Sequence, residues 1–292
     1  MSRSTATAVS RGFIGATGTP RAFCVMMRGM KISVPDWCFY GKIGVGARYY
    51  AALKEIGVDG VEMVAPERHA MARSAGLEIL NAAAPGIETG LNRRENHAAV
   101  LPQIRESIAM AKASGIPLVI IFSGNRAGQP GRPIRQHLTD DQGIANCRAG
   151  VEALLPDAQK AGVVLGFEML NSIDHADYQA DHGSYGFALA DAVDSPCLKL
   201  VYDVYHMERM GDDSGKDIVR RLDRIAHIHV AESPRRDAPR ADGTIRYERI
   251  VPGVIQAGYN GYWGMEFIPG RDARQELCDS ISLFRRLGQQ IS

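Results

Sequence analysis

Short apolar runs recur along the chain and alternate with stretches in which apolar residues return every three or four positions. The runs are 30–34 (MKISV), 60–65 (GVEMVA), 77–82 (LEILNA), 117–122 (PLVIIF), 163–169 (VVLGFEM), 198–204 (LKLVYDV), 225–231 (IAHIHVA) and 262–268 (YWGMEFI). Their length and content predict buried strands. The stretches between them, such as 46–56, 97–114 and 143–161, carry helical spacing. Gly57, Gly76, Gly115 and Gly162 stand just ahead of the next run, where a left-handed residue stops a helix. Strands alternating with helices predict a parallel sheet, and eight repeats predict an α/β fold of one (β/α)8 TIM barrel over an open doubly wound sheet. The segments after the third, fourth, fifth and seventh runs (83–97, 123–142, 170–185 and 232–247) are long and polar. All four leave the C-terminal ends of strands, where barrels build active sites.

Polar residues inside these runs carry the candidate chemistry. Glu168, Asp203, His229 and Glu266 each end an apolar run, and they are spaced by 35, 26 and 37 residues, each about one βα unit. A buried carboxylate is costly unless it is paired or binds a metal. For any one of the four, a structural ion pair explains it as well; four at successive strand ends point to one divalent metal site. Three carboxylates and an imidazole suit Mn²⁺, Mg²⁺ or Co²⁺, with Zn²⁺ also open.

Further residues lie close to these ligands in sequence. His206 follows Asp203 just past the strand end. Arg235 follows His229 in the ESPRR turn, where an arginine can fork onto a carboxylate or phosphate. Its neighbour Arg236 reads as a surface charge. Glu62 ends the second run, where a structural role fits it equally well. Asn171 and His182 lie in the segment after Glu168. His206, Arg235, Glu62, Asn171 and His182 are therefore the substrate-binding candidates. GKIGVG at 41–46 lacks the spacing of a dinucleotide loop, and neither a Walker loop nor Gly-x-Ser-x-Gly occurs, so no organic cofactor is expected.

Composition narrows the classes. The chain has 292 residues, 45% hydrophobic and 23% charged, with a formal net charge of +1. No basic excess drives nucleic-acid binding, and no run approaches the roughly 18 residues of a membrane span. The five cysteines are scattered and form no Cys-x-x-Cys pair, which favours a reducing, cytoplasmic setting. Residues 1–29 carry Arg3, Arg11, Arg21 and Arg28 and no acid. They read as an N-terminal extension, disordered or upstream of the native start, with 30–292 as the catalytic barrel; a transit peptide has the same composition.

The segments FEMLNS, YDVYHM, HIHVAESPRR and GYWGMEFIP resemble the hydroxypyruvate isomerase group of the xylose-isomerase-like barrels, as do FSGNR at 122–126, GLNRRENH at 90–97 and WCF at 37–39. The similarity runs from about Met30 to Pro269. It implies that Glu168, Asp203, His229 and Glu266 bind one metal, that Glu168 and Glu266 form the acid/base pair, and that His206 and Arg235 contact substrate. The ESPRR turn departs from the usual proline-glycine-arginine turn, with Arg235 in the glycine's place, so the register of that arginine is open between 235 and 236. The implied reaction is hydroxypyruvate to tartronate semialdehyde by proton transfer through an enediolate. Histidine at 229 is also the ketose 3-epimerase pattern. A 3-epimerase or a 2-oxo-tetronate isomerase is the alternative, and a non-catalytic sugar-binding protein ranks behind both. The expected partner is a small hydroxy-keto acid or ketose, with neither nucleic acid nor membrane; a homo-oligomer is left open.

Overall fold

The structure, a computed structural model, describes residues 29–128 and 136–289. The expected extension lies outside the described residues except for Gly29.

Nine strands form the sheet: β1 (Lys31–Pro35), β2 (Gly60–Glu62), β3 (Glu78–Ile79), β4 (Asn81–Ala83), β5 (Leu118–Phe122), β6 (Val164–Glu168), β7 (Leu198–Asp203), β8 (Ile225–Val230) and β9 (Tyr262–Met265). All pair in parallel, in the order β3-β2-β1-β9-β8-β7-β6-β5-β4. The two ends of that order are halves of one predicted run. β3 pairs with β2, the chain passes through Leu80, and β4 pairs with β5. Leu80 N donates to Val61 O at 3.0 Å and Met63 N to Asn81 O at 3.1 Å, which brings the seam together. The eight predicted runs thus form the expected TIM barrel, the third divided at the point where it changes partners.

Alternation along each strand sorts the side chains. One phase is buried beneath the outer helices: Phe167 stacks on Tyr185, Tyr202 on Phe187, and Trp263 meets Phe284 at 5.5 Å between ring centroids. Burying an aromatic or aliphatic side chain of this size contributes about 1.5–3 kcal/mol, so this phase holds the barrel to its helices. The other phase fills the bore. It carries Glu168, Asp203 and His229, with Asp203 beside His229 and His229 beside Gly264 in register.

Helices fall near the predicted spans. Gly46–Ile56 matches, and His97–Ala113 ends one residue early. The predicted 143–161 helix is two helices, Asp140–Glu152 and Leu155–Ala161. The first starts earlier because Thr139 and Gln142 form a capping box. Pro156 explains the break: its ring clashes with the carbonyl four residues back, at Glu152, and fits the first turn of a new helix. Gly57 and Gly162 end their helices in the left-handed conformation, with φ of 96° and 69°. No described helix is long and apolar enough to cross a membrane.

Candidate metal centre and active site

Glu168 and Asp203 end β6 and β7, His229 sits one residue inside the end of β8, and Glu266 follows β9 directly. One donor atom from each lies within 4.8 Å of the other three, and all four residues are buried. His229 Nδ1 is 3.2 Å from Glu168 Oε1 and 3.3 Å from Glu266 Oε2. Asp203 divides its oxygens. Oδ1 accepts from Tyr205 N at 2.8 Å and caps the helix Val204–Arg209, while Oδ2 turns to the cluster. The donor set fits a divalent cation: three carboxyl groups and one imidazole offer oxygen and nitrogen ligands at a spacing that one ion can bridge.

Beneath the cluster the histidine is locked from its other side. His229 Nε2 donates to Glu62 Oε2 at 2.7 Å, which turns Nδ1 toward Glu168 and Glu266 as the ring atom that could bind an ion. Glu62 also accepts from Asn81 Nδ2 at 2.7 Å and lies 3.1 Å from His227 Nε2. Burial alone would raise the Glu62 carboxyl, but the two imidazoles outweigh it and hold the group well below the carboxylate range. Glu62 is fully buried within this cage and does not line the cavity above. The substrate role expected for it is therefore corrected to a support beneath His229. Gly264 is required here by space: a Cβ would sit 2.6 Å from both Glu62 Oε1 and His229 Cδ2.

The carboxylates on the two sides of the cluster differ. Burial raises Glu168. Burial also acts on Glu266, yet His229 and Arg236 outweigh it and bring that carboxyl below its usual value. Burial pushes Asp203 up to about 7 against the opposing Arg236 charge.

Among the substrate candidates, His206 is fully buried with Nε2 3.5 Å from Asp203 Oδ2. The Asn171 backbone N–H donates to His206 Nδ1 at 3.1 Å, so in the neutral ring the proton sits on Nε2, facing the cluster. Burial and then Arg236 hold this imidazole well below its usual value, which keeps it neutral. Asn171 is taken up by the same contact. Its side-chain amide lies 2.6 Å from the same nitrogen, and its carbonyl accepts from Ile173 N and Asp174 N. It orients His206 and does not line the cavity. His182 is a further correction. It precedes the helix Gly183–Val193 and pairs with Asp212 at 2.9 Å, away from the cluster. His175 lines the cavity instead, with its ring 5.4 Å from that of His206.

The arginine is corrected as well. Arg235 points outward, its side chain 75% exposed and paired with Asp237. Arg236, read from the chain as a surface charge, is the one that enters: Nη2 lies 2.5 Å from Glu266 Oε2 and 3.4 Å from Asp203 Oδ2. Its backbone takes a φ of 56°, a conformation that reverses the direction alternation would give and that costs energy outside glycine. Two contacts hold that turn. Ile268 N donates to Arg236 O at 2.7 Å. Buried Glu232 gathers the loop, its Oε1 accepting from Ser233 N, Thr244 N and Ile245 N at 3.0, 2.9 and 2.9 Å.

Trp37 completes the wall. Its Nε1 donates to Glu266 Oε1 at 3.2 Å, and the Arg236 guanidinium lies 5.2 Å from its ring. Sequence reasoning assigned no role to Trp37, Glu232 or His175. The signal available for Trp37 was its place directly after β1, in the WCF segment. A cavity of about 940 Å³ opens from Glu168, Glu266 and Arg236 toward the chain segment after β4.

Comparison with known proteins agrees with this architecture. The chain is 30% identical to hydroxypyruvate isomerase of Escherichia coli strain K12 over 126 residues, 43% of this chain and 47% of that protein. It thus spans about half of that relative's length. It is 26% identical to a human protein provisionally named hydroxypyruvate isomerase over 265 residues, 87% of this chain and 94% of that one. Among solved structures, a 3-keto-D-glucoside 4-epimerase from E. coli superposes with a TM-score of 0.71 at 20% identity, covering 88% of this chain and 99% of its own. The sequence pattern described as xylose isomerase-like TIM barrel matches residues 50–287. With strand order and sequence pattern in agreement, the chain belongs to the xylose isomerase-like TIM barrel family.

Proposed function

We propose that the protein is a divalent-metal-dependent isomerase of hydroxy-keto acids, with hydroxypyruvate to tartronate semialdehyde as the simplest reaction of that class. The observation that carries this reading is the convergence of Glu168, Asp203, His229 and Glu266 within 4.8 Å, with Glu168 and Glu266 lining an open cavity. The similarity to hydroxypyruvate isomerases supports the substrate. A divalent ion held by these four residues would supply Lewis-acid polarisation of the substrate oxygens.

The chain's own groups then handle the proton. One of Glu168 and Glu266 takes the C3 proton, and the electron pair forms the C2=C3 bond of an enediolate. The proton is delivered to C2 as the C3 oxygen becomes the carbonyl. The hydroxyl proton moves from O3 to O2, so no atom is gained or lost. His206 Nε2–H donates toward the oxygen that gains charge, and Arg236 holds the substrate carboxylate.

The test is an assay of metal-stripped protein resupplied with Mn²⁺, Mg²⁺, Co²⁺ or Zn²⁺ on hydroxypyruvate, 2-oxo-tetronate and ketoses in deuterated water. Deuterium appearing at C2 of the product, only with metal, is the expected result. Turnover of ketoses alone would shift the reading to a 3-epimerase. Binding without exchange on any substrate would make the protein a binder and overturn the proposal.

A further inference from the structure

The cavity above the cluster is far larger than a three-carbon acid needs. Such an acid displaces roughly four waters, about 120 Å³ at about 30 Å³ each, out of about 940 Å³. Pockets of roughly 300–1,000 Å³ hold ligands of drug size. The reacting end is polar, with Glu168, Glu266, Arg236 and His175. Beyond it the character changes. Phe122, Leu170 and Val100 are buried along it, and Ala84, Pro85 and Ile87 line the segment after β4. Ala99, Val100 and Gln103 of the helix His97–Ala113 share one face toward it, as spacings of three and four dictate. Charge is as informative as shape. Arg236 is the lone arginine or lysine among the described lining residues, and it stands at the reacting end; Glu88 is the charged residue outside the cluster region. Among the described lining residues, a phosphate or carboxylate at the far end would meet no cation and one anion.

We infer that the natural substrate carries an uncharged, largely apolar tail of several carbons beyond its reacting keto-acid end, seated between the 83–89 segment and the Ala99–Gln103 face. The inference rests on the isomerase reading and refines its substrate. A short hydroxy-keto acid occupies the reacting end alone; the tailed one fills the cavity and covers exposed Ile87 and the exposed face of Trp37.

Unreactive 2-keto acids test this by calorimetry on the full chain with excess Mn²⁺. Pyruvate, 2-ketobutyrate, 2-ketovalerate and 2-ketohexanoate lengthen the tail one carbon at a time. 2-Ketoadipate matches 2-ketohexanoate in length but ends in a carboxylate. A buried methylene is worth about fourfold in affinity, so in a half-open cavity Kd is expected to fall at least about tenfold from pyruvate to 2-ketohexanoate. 2-Ketoadipate is expected to bind at least tenfold more weakly than 2-ketohexanoate. Ala99→Phe, at an exposed helix position, fills the far end and should collapse the pyruvate to 2-ketohexanoate ratio toward one. A flat series, tighter binding of 2-ketoadipate, or a ratio untouched by Ala99→Phe would each overturn the inference. Hydroxypyruvate turnover measured in parallel separates the two proposals. Turnover with a flat series removes the tail alone. A rising series without turnover keeps the tail site and removes the isomerase.

Discussion

Above the His229 ring, three carboxylates stand with their donor atoms a few ångströms apart and with Arg236 as the cation beside them. Below the same ring, one carboxylate, Glu62, is caged by two imidazoles and the Asn81 amide. Both regions are buried acid–imidazole clusters inside the barrel. What separates them is the ratio of donors to charge. The lower cluster sets one carboxylate against two imidazoles and an amide, beneath the cavity floor and out of contact with it. The upper one sets three carboxyl groups against one imidazole and one guanidinium beside a cavity, and that excess of ligand oxygens suits it to a cation and a substrate. Residue type therefore does not mark a metal site; the balance of charge around it does.

The strongest way to break this contrast is to neutralise one acid in each cluster. Glu168→Gln or Glu266→Gln is expected to lower kcat by about 10²–10⁴-fold, the usual worth of a positioned acid or base, with the circular dichroism spectrum unchanged. Near-native kcat with saturating metal would show that neither carboxylate moves the proton. Arg236→Ala follows, with kcat/KM on a keto acid expected to fall about 10–100-fold, since a hydrogen bond to a charged group is worth about 1.5–3 kcal/mol. Arg235→Ala, on an exposed side chain, should stay within about twofold. Equal losses from both would contradict the orientation of the turn.

Glu62→Gln should act differently. It leaves the upper donors in place but loosens the lock on His229, so metal affinity is expected to fall about 10–100-fold. Thermal denaturation should shift down by several degrees, because breaking one side of a buried pair costs about 3–5 kcal/mol. At saturating metal, kcat should largely recover. A kcat that stays low would place Glu62 in the chemistry itself. Affinity should also rise with pH through about 7, because an ion must displace the proton that burial keeps on Asp203. A metal titration flat from pH 6 to 8 would contradict that.

The contrast was half legible in the chain. Glu168, Asp203 and Glu266 interrupt apolar runs at strand ends, and period two alone aligns His227 with His229. That His229 reaches the upper cluster while both rings close on a carboxylate below depends on Glu62, which arrives from a strand far away in sequence. Arg236 was illegible for a local reason: alternation fails at a residue with positive φ, so nothing in ESPRR tells which arginine turns inward. The helix break was legible, because Pro156 lay inside the predicted pattern. Glu232 was hidden because its partners are backbone N–H groups as far off as Ile245, which no residue pattern encodes.

Glu232 therefore gives the finest test of how the upper region is held. It touches neither the cluster nor the cavity, yet one of its oxygens receives three backbone N–H groups that close the loop carrying Arg236. Its other oxygen lies where a Cβ on Gly243 would sit, so the loop has closed down on the carboxylate with no room to spare. Glu232→Gln keeps the shape and one accepting oxygen but puts an amide N–H₂ into that closed space and removes the charge that the three donors share. The expected loss is about 1–2 kcal/mol of local stability, seen as faster hydrogen exchange over residues 232–246. Because the loop places Arg236, KM for a keto acid should rise about three- to tenfold while kcat stays within about twofold. A fall in kcat with KM unchanged would mean that the loop sets the chemistry; no change in either would mean that Arg236 keeps its place without the clasp.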